Sequence, residues 1–318
     1  MSSRAPTFIR LLKWPTLLAL AVYLVSEVLT DRVAVLQWIW WIPRPVLAGA
    51  ALAWLMIPAA VCLSRRDCAR ERRVLAWVAG VSLVALLHGT LQLWGFPKGR
   101  PMPSVRIVHW NASYPGDEEV AEWIVDAIIG LDADVVVMTD PGMLIFGDRA
   151  DRFAAAKYEV YAPGRFAVLA RARVMESAPL VASKRGSASR IVIETREGVL
   201  AIRAIDLPSD PRLSRMATAG ELAATIAATD ASTPDVILGD FNITGGSASL
   251  TQFGAGYRDS FADAGTGWGG TYPRARPFWR IDLTLVRPPW RTVRAEIIDL
   301  YGKRHRAQVI DLVRDSDE

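Results

Sequence analysis

"VILGDFNIT", Val236 to Thr244, sets a short apolar run and a glycine ahead of Asp240, Phe241 and Asn242. An apolar run of this length that meets a turn signal reads as a buried strand stopping at a polar tip. Gly-Asp-x-Asn after a strand is also ordinary turn chemistry, because short polar side chains hydrogen-bond their own backbone and tolerate left-handed dihedrals. Alone, the stretch leaves turn and function both open. The decision rests on whether other strands nearby end in the same way.

They do. "VRIVHWN" (105–111) alternates with β-branched enrichment and ends at Asn111, and "DVVVM" runs into Asp140. Asp282 lies inside "RIDLTLV", and His305 stands just before the closing strand "AQVIDLV". Between them, "EVY", "RFAVLARA", "RIVIET", "VLAIRAID" and "VRAEIIDL" read as further short strands. Two helices are predicted. "DEEVAEWIVDAIIGL" puts Val120, Trp123, Ile124, Ala127, Ile128 and Leu131 on one stripe behind an N-capping Asp117. "PRLSRMATAGELAATIAAT" opens on a proline suited to a first turn. No period of about 20 to 50 residues is visible, which excludes a solenoid or propeller. Many strands with two well-spaced helices predict two sheets packed face to face with helices outside. Polar groups gathered at strand ends can meet without occupying the core, and carboxylates with amides suit Mg²⁺, a hard cation that keeps waters for phosphate chemistry.

The order "HWN", "VVVMTD", "FAVLAR", "GDFN", "RIDLTLV" and a final histidine resembles the endonuclease/exonuclease/phosphatase superfamily, with its deoxyribonuclease-I-like fold, over nearly all of residues 104–313. That resemblance implies an α/β fold, a four-layer α-β-β-α sandwich, and hydrolysis of phosphoesters with Mg²⁺ or Mn²⁺. By motif it implies that Asn111 helps hold metal and phosphate and that Asp140 stands at the place of the metal-binding glutamate. It further implies that Asp240 orients or deprotonates the attacking water, that Asn242 donates to phosphate oxygens, and that Asp282 fixes the tautomer of a phosphate-contacting His305. Three positions depart from the pattern. Asp140 is one methylene shorter than glutamate, Asp206 stands near where a histidine is expected, and the final "SDH" reads "KRH", placing Arg304 where an acid is expected. A cation there opposes metal binding by charge but suits a substrate phosphate. The two other histidines read as structural: His109, on the face of Asn111, as a hydrogen-bonded buried ring, and His88 within an apolar segment.

The first hundred residues are of another kind. The chain of 318 residues is 51% hydrophobic, and its long apolar runs are "WPTLLALAVYLVSEVL" (14–29), "VLAGAALAWLMIPAAVCL" (46–63) and "VLAWVAGVSLVALLHGTLQLW" (74–94). A bilayer core of about 30 Å takes roughly 20 apolar helical residues, so three transmembrane helices are expected within residues 1–96. "LQWIWWIPRP" suits a membrane interface, and a linker over 97–103 leads into the catalytic domain at 104–318. Residues 1–100 carry twelve Lys and Arg against four Asp and Glu; the remainder carries 25 against 29, a net charge of −4. The basic isoelectric point near 9.2 therefore belongs to the apolar part. The acidic remainder lacks the broad positive field expected of a protein held on nucleic acid, so the expected partners are the bilayer and a phosphoester substrate, with long nucleic acid disfavoured by charge but not excluded. Arg4, Arg10 and Lys13 ahead of the first run and five arginines in "SRRDCARERR" between the second and third place those segments in the cytoplasm and the C-terminal domain outside it. The reading is a multi-pass membrane phosphoesterase, with a catalytically impaired, membrane-tethered binding module as its rival.

Overall fold

The computed structural model describes residues 13–63, 68–98, 103–115 and 118–315. The chain forms two compact units, Met1–Leu93 and Trp94–Glu318. Asp117, expected as a helix cap, and Arg4 and Arg10 lie outside the described residues, as do the first two arginines of the basic segment.

The first unit is helical: α1 (Trp14–Leu29), a single turn α2 (Gln37–Trp40), α3 (Arg44–Leu63) and α4 (Ala69–Leu91). Two of the three apolar windows, α3 and α4, are helices long and apolar enough to cross a membrane, whereas α1 has only 16 described residues. Leu18, Met56, Trp77 and Val84 are exposed on the helix surfaces. The ionisable groups within the apolar runs have partners. Glu27 takes Arg44 and the Gln92 amide, and the Tyr23 hydroxyl lies 2.7 Å from His88 Nδ1. Trp40 is buried under the Arg44 guanidinium, 3.4 Å from its ring centre. The third window ends early as a helix, because Trp94 pairs as a strand in the second unit.

That unit contains β1 (Trp94–Gly95), β2 (Val105–Asn111), α5 (Glu118–Gly130), β3 (Val135–Thr139), α6 (Asp148–Ala155), β4 (Glu159–Tyr161), β5 (Phe166–Ala170), β6 (Arg173–Ser183), β7 (Gly186–Thr195) and β8 (Gly198–Asp206). It continues through α7 (Arg215–Thr229), β9 (Val236–Asp240), β10 (Arg258–Asp259), α8 (Ser260–Ala264), β11 (Gly265–Trp268), β12 (Asp282–Val286), β13 (Trp290–Ile298) and β14 (Ala307–Arg314). One sheet has eight strands in the order β1-β11-β13-β14-β2-β3-β5-β4; the other has six, β10-β12-β9-β8-β7-β6.

Strand periodicity sorts the apolar residues into layers. Ile107, Val137 and Ile310 of the first sheet share a core with Ile202, Leu238 and Val286 of the second. The alternate residues of the first sheet, Val108, Val136 and Met138, pack on α5, while Ile205, Ile237 and Leu283 of the second pack on α7. Two sheets face to face with helices outside make the α-β-β-α sandwich. Both helices differ in detail from the pattern expected. In α5 the buried stripe is Ala121, Ile124, Val125 and Ile128, and Trp123 is 47% exposed, its ring edge-on to Tyr301. Helix α7 starts at Arg215 under Ser214, whose hydroxyl accepts from Ala217 N, so the proline precedes the helix.

The inner positions change character along each strand. In β9, Val236 and Leu238 face the inter-sheet core and Asp240 continues that parity; in β2, Val105 and Ile107 are followed by His109 and Asn111. Likewise Asp206 ends β8, and Asp282 begins β12, whose direction is reversed. The shared layer therefore turns polar at one end.

Candidate active site

Register assembles that polar end. Asp240 of β9 is the direct cross-strand partner of Asp206 in β8 and of Asp282 in β12, so three carboxylates lie in one row across three adjacent strands. Gly239 permits the close approach: with φ of +153°, a Cβ here would stand 1.7 Å from the Ile205 carbonyl oxygen. Phe241, fully buried against Phe253, anchors the tip, and Asn242 follows in the left-handed region at φ +48°.

The opposite sheet supplies the other wall. Asn111 Nδ2 donates to Asp240 Oδ2 at 2.9 Å, while its own Oδ1 accepts from Ser113 N and Oγ. Asp240 Oδ1 accepts from Asn242 N at 2.9 Å. The Asn242 side-chain amide donates to Leu207 O at 2.8 Å, which orients the turn. His305 sits on a loop seated over Trp110, whose indole donates to the His305 carbonyl. Its Nδ1 lies 2.8 Å from Asp282 Oδ2, its Nε2 lies 3.7 Å from Asp240 Oδ2, and its ring stacks at a tilt on Tyr272, 4.9 Å between centres. Asn111, Asp240, Asp282 and His305 thus converge. Arg304 is exposed, and its backbone carbonyl accepts from Arg274 N.

Asp140 is held differently. Its left-handed backbone, φ +50°, turns the carboxylate onto Arg165, which donates Nε to Oδ1 at 2.7 Å and Nη2 to Oδ2 at 2.6 Å. The same guanidinium lies 3.1 Å from Asp206 Oδ2. Arg165 was not visible as a site residue in the sequence. Only the pairing of β5 with β3, which sets Phe166 opposite Thr139, places it beside Asp140.

Burial and charge then set protonation. Burial pushes Asp240 up to about 8, with the Asp282 charge adding and His305 opposing. Burial alone would also raise Asp282, yet His305 beside it holds the carboxyl below its usual range. For His305 burial lowers, but Asp282 first and then Asp240 outweigh it, and the imidazole rises to about 9. Asp206 is raised to about 7 by burial, against the pull of Arg165. His109, expected to be hydrogen-bonded, has neither ring nitrogen partnered, and burial drives it down to about 4, so it stays neutral.

Among the described residues, Asp240, Asp282 and His305 bring one ligand atom each to within 4.8 Å of one another. Asp282 Oδ1 is buried with no hydrogen-bond partner. An orphaned carboxylate oxygen next to a second carboxylate is a donor set that fits a hard divalent cation. Asp140 is not among these three; each of its oxygens accepts from Arg165.

Residues 108–317 match the Endonuclease/Exonuclease/phosphatase family. No curated protein matches the chain. Several solved structures share the fold. An endonuclease/exonuclease/phosphatase family protein from Bacteroides thetaiotaomicron has 16% identity and a TM-score of 0.54, over 68% of this chain and all of that one. A mannosyl-6-phosphatase from the same organism has 15% identity and a TM-score of 0.51, over 66% of this chain and all of its own. The human Nocturnin catalytic domain, solved with a sulfate anion, has 17% identity and a TM-score of 0.54, over 67% of this chain and 94% of its own.

Proposed function

This chain belongs to the Endonuclease/Exonuclease/phosphatase family, and on that premise we propose that it is a phosphoesterase dependent on Mg²⁺ or Mn²⁺, held to a membrane by its N-terminal helices. The observation that carries the reading is the convergence of Asn111, Asp240, Asp282 and His305 from two sheets on one polar end. Membership in a family that includes phosphatases such as the mannosyl-6-phosphatase supports phosphoester chemistry.

Each group has a role that its partners permit. Asp240, fixed by Asn111 and by the backbone amide of Asn242, is raised by burial, and with that burial offset by a bound cation its carboxylate can take a proton from a water. His305, charged through Asp282, turns Nε2 toward the same space, where it can donate to a phosphoryl oxygen as charge builds in the transition state. Asn242 holds the turn rigid, and the exposed Arg304, next in sequence to His305, is a candidate phosphate contact. Asp240 and Asp282 would hold the cation, which supplies positive charge to the phosphoryl oxygens and acidifies a bound water. Asp140 and Asn111 are the ligands that motif alone implies.

The helices α3 and α4, with their exposed apolar surfaces, support anchoring, and the arginine distribution supports a cytoplasmic N-terminus and an extracytoplasmic catalytic domain. A reporter fused after Glu318 checks this orientation; activity confined to the cytoplasm overturns it. The enzymatic reading is tested with the full chain in detergent, using bis-nitrophenyl phosphate with Mg²⁺ or with EDTA, beside Asp240→Asn. Metal-dependent turnover that falls by about 10²- to 10⁴-fold in the variant supports it. Equal negligible rates in both proteins, with phosphate still bound, select the binding module, a reading favoured by the Arg165 bridge across Asp140 and Asp206.

A further inference from the structure

Four carboxylates border the site, Asp140, Asp206, Asp240 and Asp282, and they are not equally available. Asp282 keeps a buried oxygen with no partner, whereas both oxygens of Asp140 face the two prongs of the Arg165 fork. A planar guanidinium matched to a carboxylate in this way is the strongest pairing that side chains make with each other. Both carboxylates that Arg165 contacts are buried, and its own side chain is 45% exposed, so the bridge has one solvent-facing member and two that are largely desolvated. A cation arriving at Asp140 would have to displace a fixed positive charge and leave that charge facing Asp206 alone. At Asp240 and Asp282 it meets carboxylates whose only cationic neighbour within ion-pair distance, among the described residues, is His305.

We propose that Arg165 withdraws Asp140 from the divalent cation's ligand set, so that the cation binds on the Asp240–Asp282 side of the cleft and Arg165 presents a fixed positive charge on the other. Arg165 is a positioning residue in this account: it acts on the cation through Asp140. The three sequence features then form one device. A shortened acid at Asp140 meets the fork, an acid at Asp206 where a histidine was expected steadies it, and Arg165 pairs with both. The inference rests on the divalent-cation reading above.

The experiment measures Mn²⁺ affinity by electron paramagnetic resonance of the free ion, on the full chain in detergent, so that turnover plays no part. Asp140→Asn should change the dissociation constant by less than threefold, whereas Asp282→Asn should weaken it by more than thirtyfold. Arg165→Met should release Asp140 and tighten binding at least tenfold. The gain should vanish in Arg165→Met/Asp140→Asn, which separates a new ligand from a general increase in negative charge. Arg165→Lys, which keeps the charge but loses the fork, should fall between wild type and Arg165→Met, and melting curves confirm that each variant is folded. Weakening by Asp140→Asn as large as that by Asp282→Asn overturns the proposal, as does tightening that persists in the double variant. Binding by the wild type with an unchanged Arg165→Met overturns this inference alone. Binding by none of the folded proteins overturns it together with the metal-dependent function.

Discussion

Replacing Asp282 with asparagine tests the electrostatics of the site most directly. The asparagine oxygen can still accept from His305 Nδ1 at the native separation of 2.8 Å, so shape and hydrogen bond survive while the charge is lost. In the wild type that charge is the largest influence raising His305 against the effect of burial, and it lifts the imidazole from 6.5 to about 9. A displacement of that size corresponds to about 3 kcal/mol of preference for the protonated ring. Without the Asp282 charge, Asp240 and Asp206 remain as weaker supports against burial, and the ring falls back toward its ordinary value. The sign follows for stability. His305 has a folded-state value above its unfolded one, so its contribution is complete below pH 6.5 and is lost as the pH rises through about 9. Asp282 has a lowered value, so its contribution is present above the ordinary carboxylate range and is lost as the pH falls through the folded value. The variant should therefore be destabilised by about 3 kcal/mol near neutral pH, with the deficit shrinking toward either extreme. The chain has three histidines, so an NMR titration of the imidazole protons in chelator-treated protein can be assigned with His305→Gln. His305 should titrate near 9 in the wild type and at least two pH units lower in Asp282→Asn. A wild-type midpoint near 6.5, or one that Asp282→Asn leaves in place, would refute the reasoning.

Three further outcomes follow from the packing around the site. Gly239→Ala forces a Cβ onto the Ile205 carbonyl at a positive φ and should cost about 3 kcal/mol or more by urea unfolding; a cost under 1 kcal/mol would mean that β8 and β9 tolerate separation. Phe241→Ala empties a fully buried position against Phe253 and should lose about 3–5 kcal/mol, with turnover falling as the Asp240 turn loosens. Asp230 follows α7 and pairs with Arg203 of β8: burial raises it, but Ser232 first and then Arg203 hold it down to about 2. Because its folded value is depressed, its stabilisation is present above its unfolded value and disappears as the pH falls through about 2. Asp230→Asn should cost about 2 kcal/mol at pH 7 and well under half of that at pH 2, read from melting curves at the two pH values.

The fold was legible where burial on both faces leaves an uninterrupted apolar run. β2, β3 and β9 follow directly from "VRIVHWN", "DVVVM" and "DVIL" because each lies inside a sheet with a core on either side. β6 did not announce itself. It is the edge of the six-stranded sheet, carries Pro179, and shifts register at Val174/Glu176 and again at Pro179/Val181, so the alternation that marks a strand is broken twice. The displaced stripe in α5 has a similar origin. Trp123 is apolar and at helical spacing, yet it is partnered by the ring of Tyr301 from a distant loop instead of the core, a contact that no periodicity encodes.

The candidate site divides along the same line. Asn111, Asp240, Asp282 and His305 could be picked out because each sits at or just beside the end of a strand whose interior is apolar, and turn chemistry alone does not account for four such ends at once. Arg165 has no such mark: an arginine between Gly164 and Phe166 reads as an ordinary solvated turn residue. Its position depends on an antiparallel register that sets the start of β5 against the end of β3, and register is a property of two segments, not one. Yet a consequence was present in the sequence. An acid at Asp206 and a shortened acid at Asp140 bring two negative charges to one desolvated end of a sandwich, and burying both without a cation is unfavourable. Either a bound ion or a side chain must supply the positive charge. The pairing of both acids with one guanidinium shows which solution this chain contains for them within itself.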